Sequence, residues 1–322
     1  MNAPIPLTVI GGFLGSGKTS LLNHWLEEHP DKRTALLIND FGSLNIDASL
    51  IAQQNGDTLA LTNGCVCCSL GDDLSLALIK VLDTHPPFEA VMIEASGVSD
   101  PGRIARMAQA APELQRDAVL VLVDASAILT QWQDKLLLDT LQRQLQAADV
   151  LVLNKLDLVD EPTLTAVEAL LAAQAPGVAV VPSTQGRVPI SVLSACAKLT
   201  IDPNHDLPCS HSAECLHPHP VSTTQEANLH TNQFETWSAH PIDQRSFEDW
   251  RDSLEALPTG ILRLKGVVAT HKQGWLEVQR VGRRLQLRPT PNAPTANQAV
   301  LVAIGLRGHL PLAALESLAS AD

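Results

Sequence analysis

Gly12-Phe-Leu-Gly-Ser-Gly-Lys-Thr19 fills every fixed position of the pattern G-x-x-x-x-G-K-[ST]. Before it, Pro6-Leu-Thr-Val-Ile-Gly11 is an apolar run of strand length; after it, Ser20-Leu-Leu-Asn-His-Trp-Leu-Glu-Glu28 reads as a helix. Strand, glycine-rich loop and helix is the context in which this pattern binds phosphate. Gly12, Gly15 and Gly17 let successive backbone N–H groups, those of Ser16 and Ser20 among them, converge on phosphate oxygens, and the helix start adds partial positive charge. Lys18 is expected to reach the β and γ phosphates and the Thr19 hydroxyl to ligate Mg2+. A glycine-rich turn alone would need neither the lysine nor the threonine.

Length and composition narrow the rest. At 322 residues the chain suits one large and one smaller domain. With 45% apolar residues and a mean hydropathy of +0.08 it can build a sizeable core. Tyrosine is absent and aromatics make up 3%, so aliphatic residues must fill that core. A net charge of −13 and a pI near 5.2 argue against nucleic acid or an anionic membrane as the main partner. No apolar run approaches the ~20 residues that span a bilayer. The N-terminal MNAPIPLTVIGGF lacks the basic flank of a signal peptide, so a cytoplasmic protein is expected. Six cysteines are too few for a disulfide scaffold, but Cys65, Cys67 and Cys68 crowd together, which in a reducing compartment points to metal or redox chemistry.

Strand and helix signals alternate through residues 1–200 and predict an α/β unit, a P-loop NTPase fold with a mostly parallel sheet. Its further strands are expected at Thr34–Asn39, Phe88–Glu94, Ala118–Asp124, Val150–Asn154 and Val178–Pro182, while Leu59-Ala-Leu61 leads into the cysteine stretch. A helix with Leu74, Leu78, Ile79 and Leu82 on its apolar face follows the cysteines. Residues 201–232, rich in His, Pro, Ser, Thr and Cys, read as a linker. Residues 233–322 form a smaller α+β unit: a strand near Gln233–Ala239, a helix over Ser246–Leu257, and strands at Ile261–Thr270, Trp275–Val281, Arg284–Arg288 and Ala299–Ile304. Short turns between these strands predict antiparallel pairing, and Pro311 opens a closing helix.

A second nucleotide signal is Asn154-Lys-Leu-Asp157, about 135 residues beyond the loop and at a strand end. A carboxylate at Asp157 accepts both N1–H and N2–H of guanine, a donor pair adenine lacks, so GTP is preferred over ATP. Asn154 and Lys155 complete that corner. Between the two signals, Glu94 ends an apolar strand and is placed to organise Mg2+ or its water shell; its bland alternative is a capping or surface acid. Gly97 can offer its N–H to the γ-phosphate, so that GTP and GDP set the following loop differently. Asp40 and Asp47 are weaker candidates that also suit turns. Arg103 could stabilise charge in the transition state, though a solvated helix face also explains it and Arg106.

Cys65, Cys67 and Cys68, folded by the turn that Gly64 permits, offer soft thiolates suited to Zn2+ or Cu(I). Three thiolates leave one tetrahedral position open, which suits a metal that is handed on. Buried small hydrophobes or a redox pair are the alternatives. Cys209, His211, Cys215, His217 and His219, with His205 and His230 nearby, could form a second loading site, or a polar linker whose histidines never converge.

Taken in order, GFLGSGKTSLLN (12–23), LINDFGSLNID (37–47), NGCVCCSL (63–70), IEASG (93–97) and NKLD (154–157) resemble the CobW family of P-loop GTPases, relatives of the urease and hydrogenase nickel-insertion GTPases. The resemblance covers about residues 5–200 strongly and extends more loosely over the tail. It implies Mg2+-dependent GTP hydrolysis coupled to binding of Zn2+ or Co2+ by Cys65, Cys67 and Cys68, and delivery to a client protein, with a homodimer as one allowed assembly. Cobalt or iron insertion for one enzyme or cofactor pathway is an alternative, as is a nucleotide-gated zinc buffer without transfer. Where family members carry N-E-F-G-E, this chain has Asn39-Asp-Phe-Gly-Ser43, which keeps an acid at Asp40 and lacks one at Ser43.

Overall fold

The computed structural model describes residues 4–28, 32–38, 72–188, 234–271, 274–290 and 298–320. In chain order these form β1 (Ile5–Gly12), α1 (Lys18–Glu28), β2 (Thr34–Ile38), α2 (Asp72–Leu82), β3 (Ala90–Glu94), α3 (Pro101–Ala108), β4 (Leu114–Asp124), α4 (Ile128–Gln133), α5 (Leu138–Ala147) and β5 (Val150–Asn154). A 3-10 turn at Leu156–Leu158, α6 (Glu161–Gln174) and β6 (Ala179–Pro182) complete the first part. The second comprises β7 (Phe234–Ala239), α7 (Phe247–Glu255), β8 (Ile261–Thr270), β9 (Gly274–Val281), β10 (Arg284–Thr290), β11 (Val300–Leu306) and α8 (Leu312–Ala319).

The first six strands make one parallel sheet in the order β2-β3-β1-β4-β5-β6. Its central strands are continuous apolar runs because both faces are covered. Alternate residues divide between two cores, as the two-residue period of a strand requires. Leu7, Val9, Val91, Ile93, Val119, Val121, Leu151 and Leu153 meet Leu78 of α2, Ile104 of α3, Leu141 and Leu145 of α5, and Val167 and Leu171 of α6. Ile10, Leu36, Met92, Leu120, Val150 and Val152 face the other way, onto Leu21, Leu22, Trp25 and Leu26 of α1. Leu262 and Val281 join that second core, so one helix and part of the second sheet share the work of covering this face.

The second sheet is antiparallel, in the order β10-β9-β8-β11-β7. Trp250 and Leu254 of α7 and Leu315 and Leu318 of α8 pack on Leu264, Val268, Leu276, Val278, Leu301 and Ala303. The start of α7 is fixed by a capping box in which Ser246 and Asp249 satisfy each other's backbone N–H groups. Its end is closed by Arg280, whose buried guanidinium donates to the carbonyls of Leu254 and Leu257 at 2.8 and 3.0 Å.

A bulge joins the two sheets. Leu7 pairs with Arg116 but Thr8 with Ala118, so Asp117 is the extra residue of β4. The bulge aims Asp117 at the second sheet, where both its oxygens accept from Arg263 of β8, at 2.9 and 3.1 Å, with both side chains 2% exposed. Next to it, Asp149 accepts from Arg116 at 3.0 Å and from Arg284 at 3.3 Å. Gly282 meets the same corner so closely that a β-carbon there would lie 2.2 Å from the Asp149 carbonyl oxygen.

The expected strands of the first 182 residues recur with ends shifted by a few residues, and Leu59–Leu61 lies outside the described residues. Strand β4 starts four residues earlier than expected, at Leu114, because its polar opening Gln115-Arg116-Asp117 faces the second sheet. In α2 the face differs from the expected one: Ala77, Leu78 and Val81 are buried, while Ile79 is 53% exposed. Positions 77, 78 and 81 share a stripe at 100° per residue, and Ile79 falls beside it.

Candidate functional site

The phosphate-loop pattern sits where the strand order reverses. Strand β1 lies between β3 and β4, and α1 carries the chain the other way to the edge strand β2. At such a point the loops at the carboxyl ends of neighbouring strands part and leave a crevice. The carboxyl ends of β1 and β3 deliver Gly12 and Glu94 to it, and those of β4 and β5 bring Asp124 and Asn154 to the same edge of the sheet.

A cavity of about 230 Å3 opens there, lined by Leu14, Gly15, Gly17, Lys18, Thr19, Ser20, Ile38 and Glu94 through Gly97. Gly12, Gly15 and Gly17 have φ of 133°, 75° and 101°, values that an L side chain rarely adopts, so the loop's path depends on them. Lys18 curls over the loop, its Nζ donating to the carbonyls of Gly12 at 3.1 Å and Phe13 at 3.3 Å. Thr19 Oγ1 donates to Glu94 Oε1 at 3.3 Å, and Glu94 is 3% exposed. Glu94 is therefore not a surface acid. A hydroxyl and a buried carboxylate side by side form a hard oxygen donor set, which fits Mg2+. Ser16 does not line the cavity: it is 1% exposed and its carbonyl accepts from Asn154 Nδ2 at 2.9 Å.

The turn after β3 closes over the loop. A β-carbon on Gly97 would lie 2.6 to 2.8 Å from the Leu14 side chain and backbone nitrogen, so only glycine allows this approach. The turn ends at Asp100, whose Oδ1 caps α3 by accepting from the N–H groups of Gly102 and Arg103. Arg103 is exposed on α3 and outside the cavity lining, which favours the solvated-face reading.

Asn154-Lys-Leu-Asp157 forms a corner rather than a row of ligands. Asn154 is 1% exposed; besides bonding Ser16 it accepts from Gly186 N–H at 2.9 Å, tying the phosphate loop to the loop after β6. Lys155 adopts a left-handed conformation with φ 64°, and its Nζ lies 2.7 Å from Asp124 Oδ2. Asp124 is pushed up by burial, yet its bonds to Lys155 and Ser126 more than offset this and hold the carboxyl below its ordinary value. Asp157 stands exposed on the 3-10 turn beyond the corner.

Three residues of this framework escaped the sequence reading. Asp124 closes an apolar strand as Glu94 does, and that parallel was its signal. Gly186, whose β-carbon would strike the backbone of Ser20 and Leu21, gave only a lone glycine. Gln144 gave none. The thiolates Cys65, Cys67 and Cys68, the acids Asp40 and Asp47, and the Cys209, His211, Cys215, His217 and His219 group lie outside the described residues. Among the described residues no three His, Cys, Asp or Glu side chains cluster to hold a metal, and no helix is long and apolar enough to cross a membrane. His24, away from any such group, pairs with Glu28 at 3.1 Å within α1. A larger cavity of about 540 Å3, between β6, α6 and the second sheet, is walled chiefly by aliphatic side chains such as Leu153, Val180, Leu262 and Leu306.

The chain is similar in sequence to known proteins. A protein named zinc chaperone CobW from Pseudomonas aeruginosa is 31% identical over 63% of this chain and 64% of its own length. One named zinc-regulated GTPase metalloprotein activator 1 from Schizosaccharomyces pombe is 27% identical over 91% of this chain and 79% of its own. The Escherichia coli protein named zinc chaperone YjiA is 37% identical over 49% of this chain and 51% of its own. The chain thus spans less than two thirds of the first and third of these relatives. Residues 231–321 match the family described as cobalamin synthesis protein cobW C-terminal domain. Residues 6–182, more than half of the chain, match the CobW/HypB/UreG nucleotide-binding domain, and the protein belongs to that family.

Proposed function

We propose that this protein is a GTPase metallochaperone that binds a divalent ion, zinc foremost, and delivers it to a client protein. One observation carries the reading: Lys18, the Thr19–Glu94 pair and Gly97 line one cavity, and Asn154 ties that cavity's loop to the Asn154–Asp157 corner. Phosphates are read on one side of that bond and the base on the other.

Lys18 leaves the loop carbonyls for the β and γ phosphates, a short movement because its Nζ already lies over the loop. Thr19 and Glu94 would hold Mg2+, which when bound neutralises charge developing on the phosphates. Asp157 accepts from guanine, and its exposure keeps it available. Residues 1–200 act as the GTPase unit, 201–232 as a linker that gathers metal through Cys209, His211, Cys215, His217 and His219, and 233–322 as a unit that meets the client or a second copy. Cys65, Cys67 and Cys68, which fall between β2 and β3 in the sequence, hold the transported ion. The zinc assignment is supported by the names that the relatives carry, and thiolates favour zinc over hard cations.

The test is a zinc titration, with cobalt alongside, with and without Mg2+ and a non-hydrolysable GTP analogue. The analogue should raise zinc affinity, and Cys67→Ala should lower that affinity at least about tenfold while guanine nucleotide affinity holds. Equal zinc affinity in the variant with the analogue present would sink the assignment. Metal binding with negligible GTP turnover would favour the buffer over the chaperone. A clear preference for cobalt would favour the insertion pathway.

A further inference from the structure

We propose that Gln144 is a positioning residue for the terminal phosphate: its amide, reaching across from α5, fixes the turn Ser96–Asp100 so that Gly97 presents its backbone to the cavity. The inference rests on the reading that Gly97 faces the γ-phosphate.

Gln144 is 2% exposed, at a helix position where Leu141 and Leu145 fill the core. An apolar side chain would satisfy packing there. Instead Gln144 Nε2 donates to the carbonyls of Gly97 at 2.9 Å and Ser99 at 3.1 Å. Both acceptors belong to the turn between β3 and α3, which strand pairing does not hold. Among the described residues its other restraints are the Ser99 N–H bond to the Ser96 carbonyl, the Asp100 cap and the approach of Gly97 to Leu14, and none of these is a donor to the Gly97 carbonyl. Gly97 has no side chain to limit its dihedrals, so the Gly97–Val98 peptide plane would swing without a fixed donor on its carbonyl. That plane adjoins the Gly97 N–H. Gln144 is a firm anchor because α5 packs tightly on α3, where a β-carbon on Gly102 would lie 3.0 Å from Ala147 Cβ. One amide bonding two carbonyls locks two peptide planes at once. Losing it would leave two carbonyls short of a partner beside a site that needs preorganised donors.

The lock predicts a division of effects. GDP reaches the loop and the Asn154–Asp157 corner, which Gln144 does not touch. GTP needs the turn as well. In the full-length protein, Gln144→Met keeps length and helix propensity and removes the donor. Affinities for GDP and for a non-hydrolysable GTP analogue are measured beside kcat, KM and the thermal midpoint, with Gln144→Leu as a second variant should the first not fold. The expected result is a fall in kcat of about ten- to a hundredfold and loss of the analogue's preference over GDP, with GDP affinity within about twofold. Gln144→Leu should behave like the methionine variant. A kcat and an analogue-to-GDP ratio both at wild-type values would overturn the proposal, as would parallel losses for GDP and the analogue, which mark a merely structural role. Should the wild-type protein bind GTP without hydrolysing it, the GTPase reading falls and the affinity ratio alone decides the role of Gln144. Wild type binding the analogue no better than GDP would overturn the reading of Gly97 and this proposal together.

Discussion

The parallel and antiparallel sheets both bury polar side chains, and they use them in opposite ways. At the carboxyl ends of the parallel strands, Glu94 faces a cavity, while Asp124 and Asn154 hold the loops around it. In the antiparallel sheet Arg263, Arg280 and Arg284 are consumed by fixed acceptors: Asp117, the end of α7, and Asp149 with the neighbouring backbone. A buried charge met on every side by protein groups holds a joint; one that faces a crevice is available to a ligand. Substitutions in the two regions should therefore separate activity from stability.

The largest effect is expected on the binding side. Lys18→Ala should cut GTP turnover by about a hundredfold or more, because the charge it brings to the phosphates has no substitute in the cavity lining. Stability should move less than turnover, since the Lys18 bonds to the Gly12 and Phe13 carbonyls stay within its own loop. Turnover assays and thermal melts on one preparation decide this, and retained turnover would break the assignment of the loop.

The holding side should show the reverse. Arg263→Met removes both guanidinium bonds to Asp117 at 2% exposure and should cost about 3 kcal/mol in urea unfolding, while GDP affinity of the folded protein stays near wild type. Adding Asp117→Leu should recover part of that loss, because the buried carboxylate goes with the guanidinium that faced it. If the double variant is as unstable as the single, packing at the bulge outweighs the ion pair.

How far each region could be read beforehand follows from the same division. The phosphate loop, Glu94, Gly97 and the Asn154–Asp157 corner were legible because their chemistry fixes residue types at short spacings. Parallel order was legible from apolar runs alternating with helices. The joint was not: Asp117 and Arg263 are 146 positions apart, and neither belongs to a local pattern. Gln144 was hidden for a related reason, since a glutamine in an amphipathic helix reads as surface until its carbonyl partners, 45 and 47 residues earlier, are seen. The role of Asn154 was read only in part. Its motif suggested a nucleotide contact, whereas its amide spans Ser16 and Gly186.

Lys155 straddles the two categories, which makes it the finest test of the contrast. It belongs to the nucleotide corner by motif, yet its ammonium is held by Asp124, and its side chain is 31% exposed. The Asp124 carboxyl lies below its ordinary 3.8, with burial opposing and Lys155 and Ser126 favouring the charged form. A carboxyl depressed on folding adds stability that is present above its unfolded value and is lost as pH falls through the folded one. In Lys155→Met, burial acts with less opposition, so the Asp124 carboxyl should rise. The variant should be less stable than wild type by about 1–2 kcal/mol near pH 7, a figure kept small by solvent screening. That gap should narrow steadily below about pH 4 and close once Asp124 is protonated in both proteins. Urea unfolding from pH 3 to 7 reads it directly. A gap that does not change with pH would assign Lys155 to packing, and an unchanged stability with weakened GTP binding would move it wholly to the binding side.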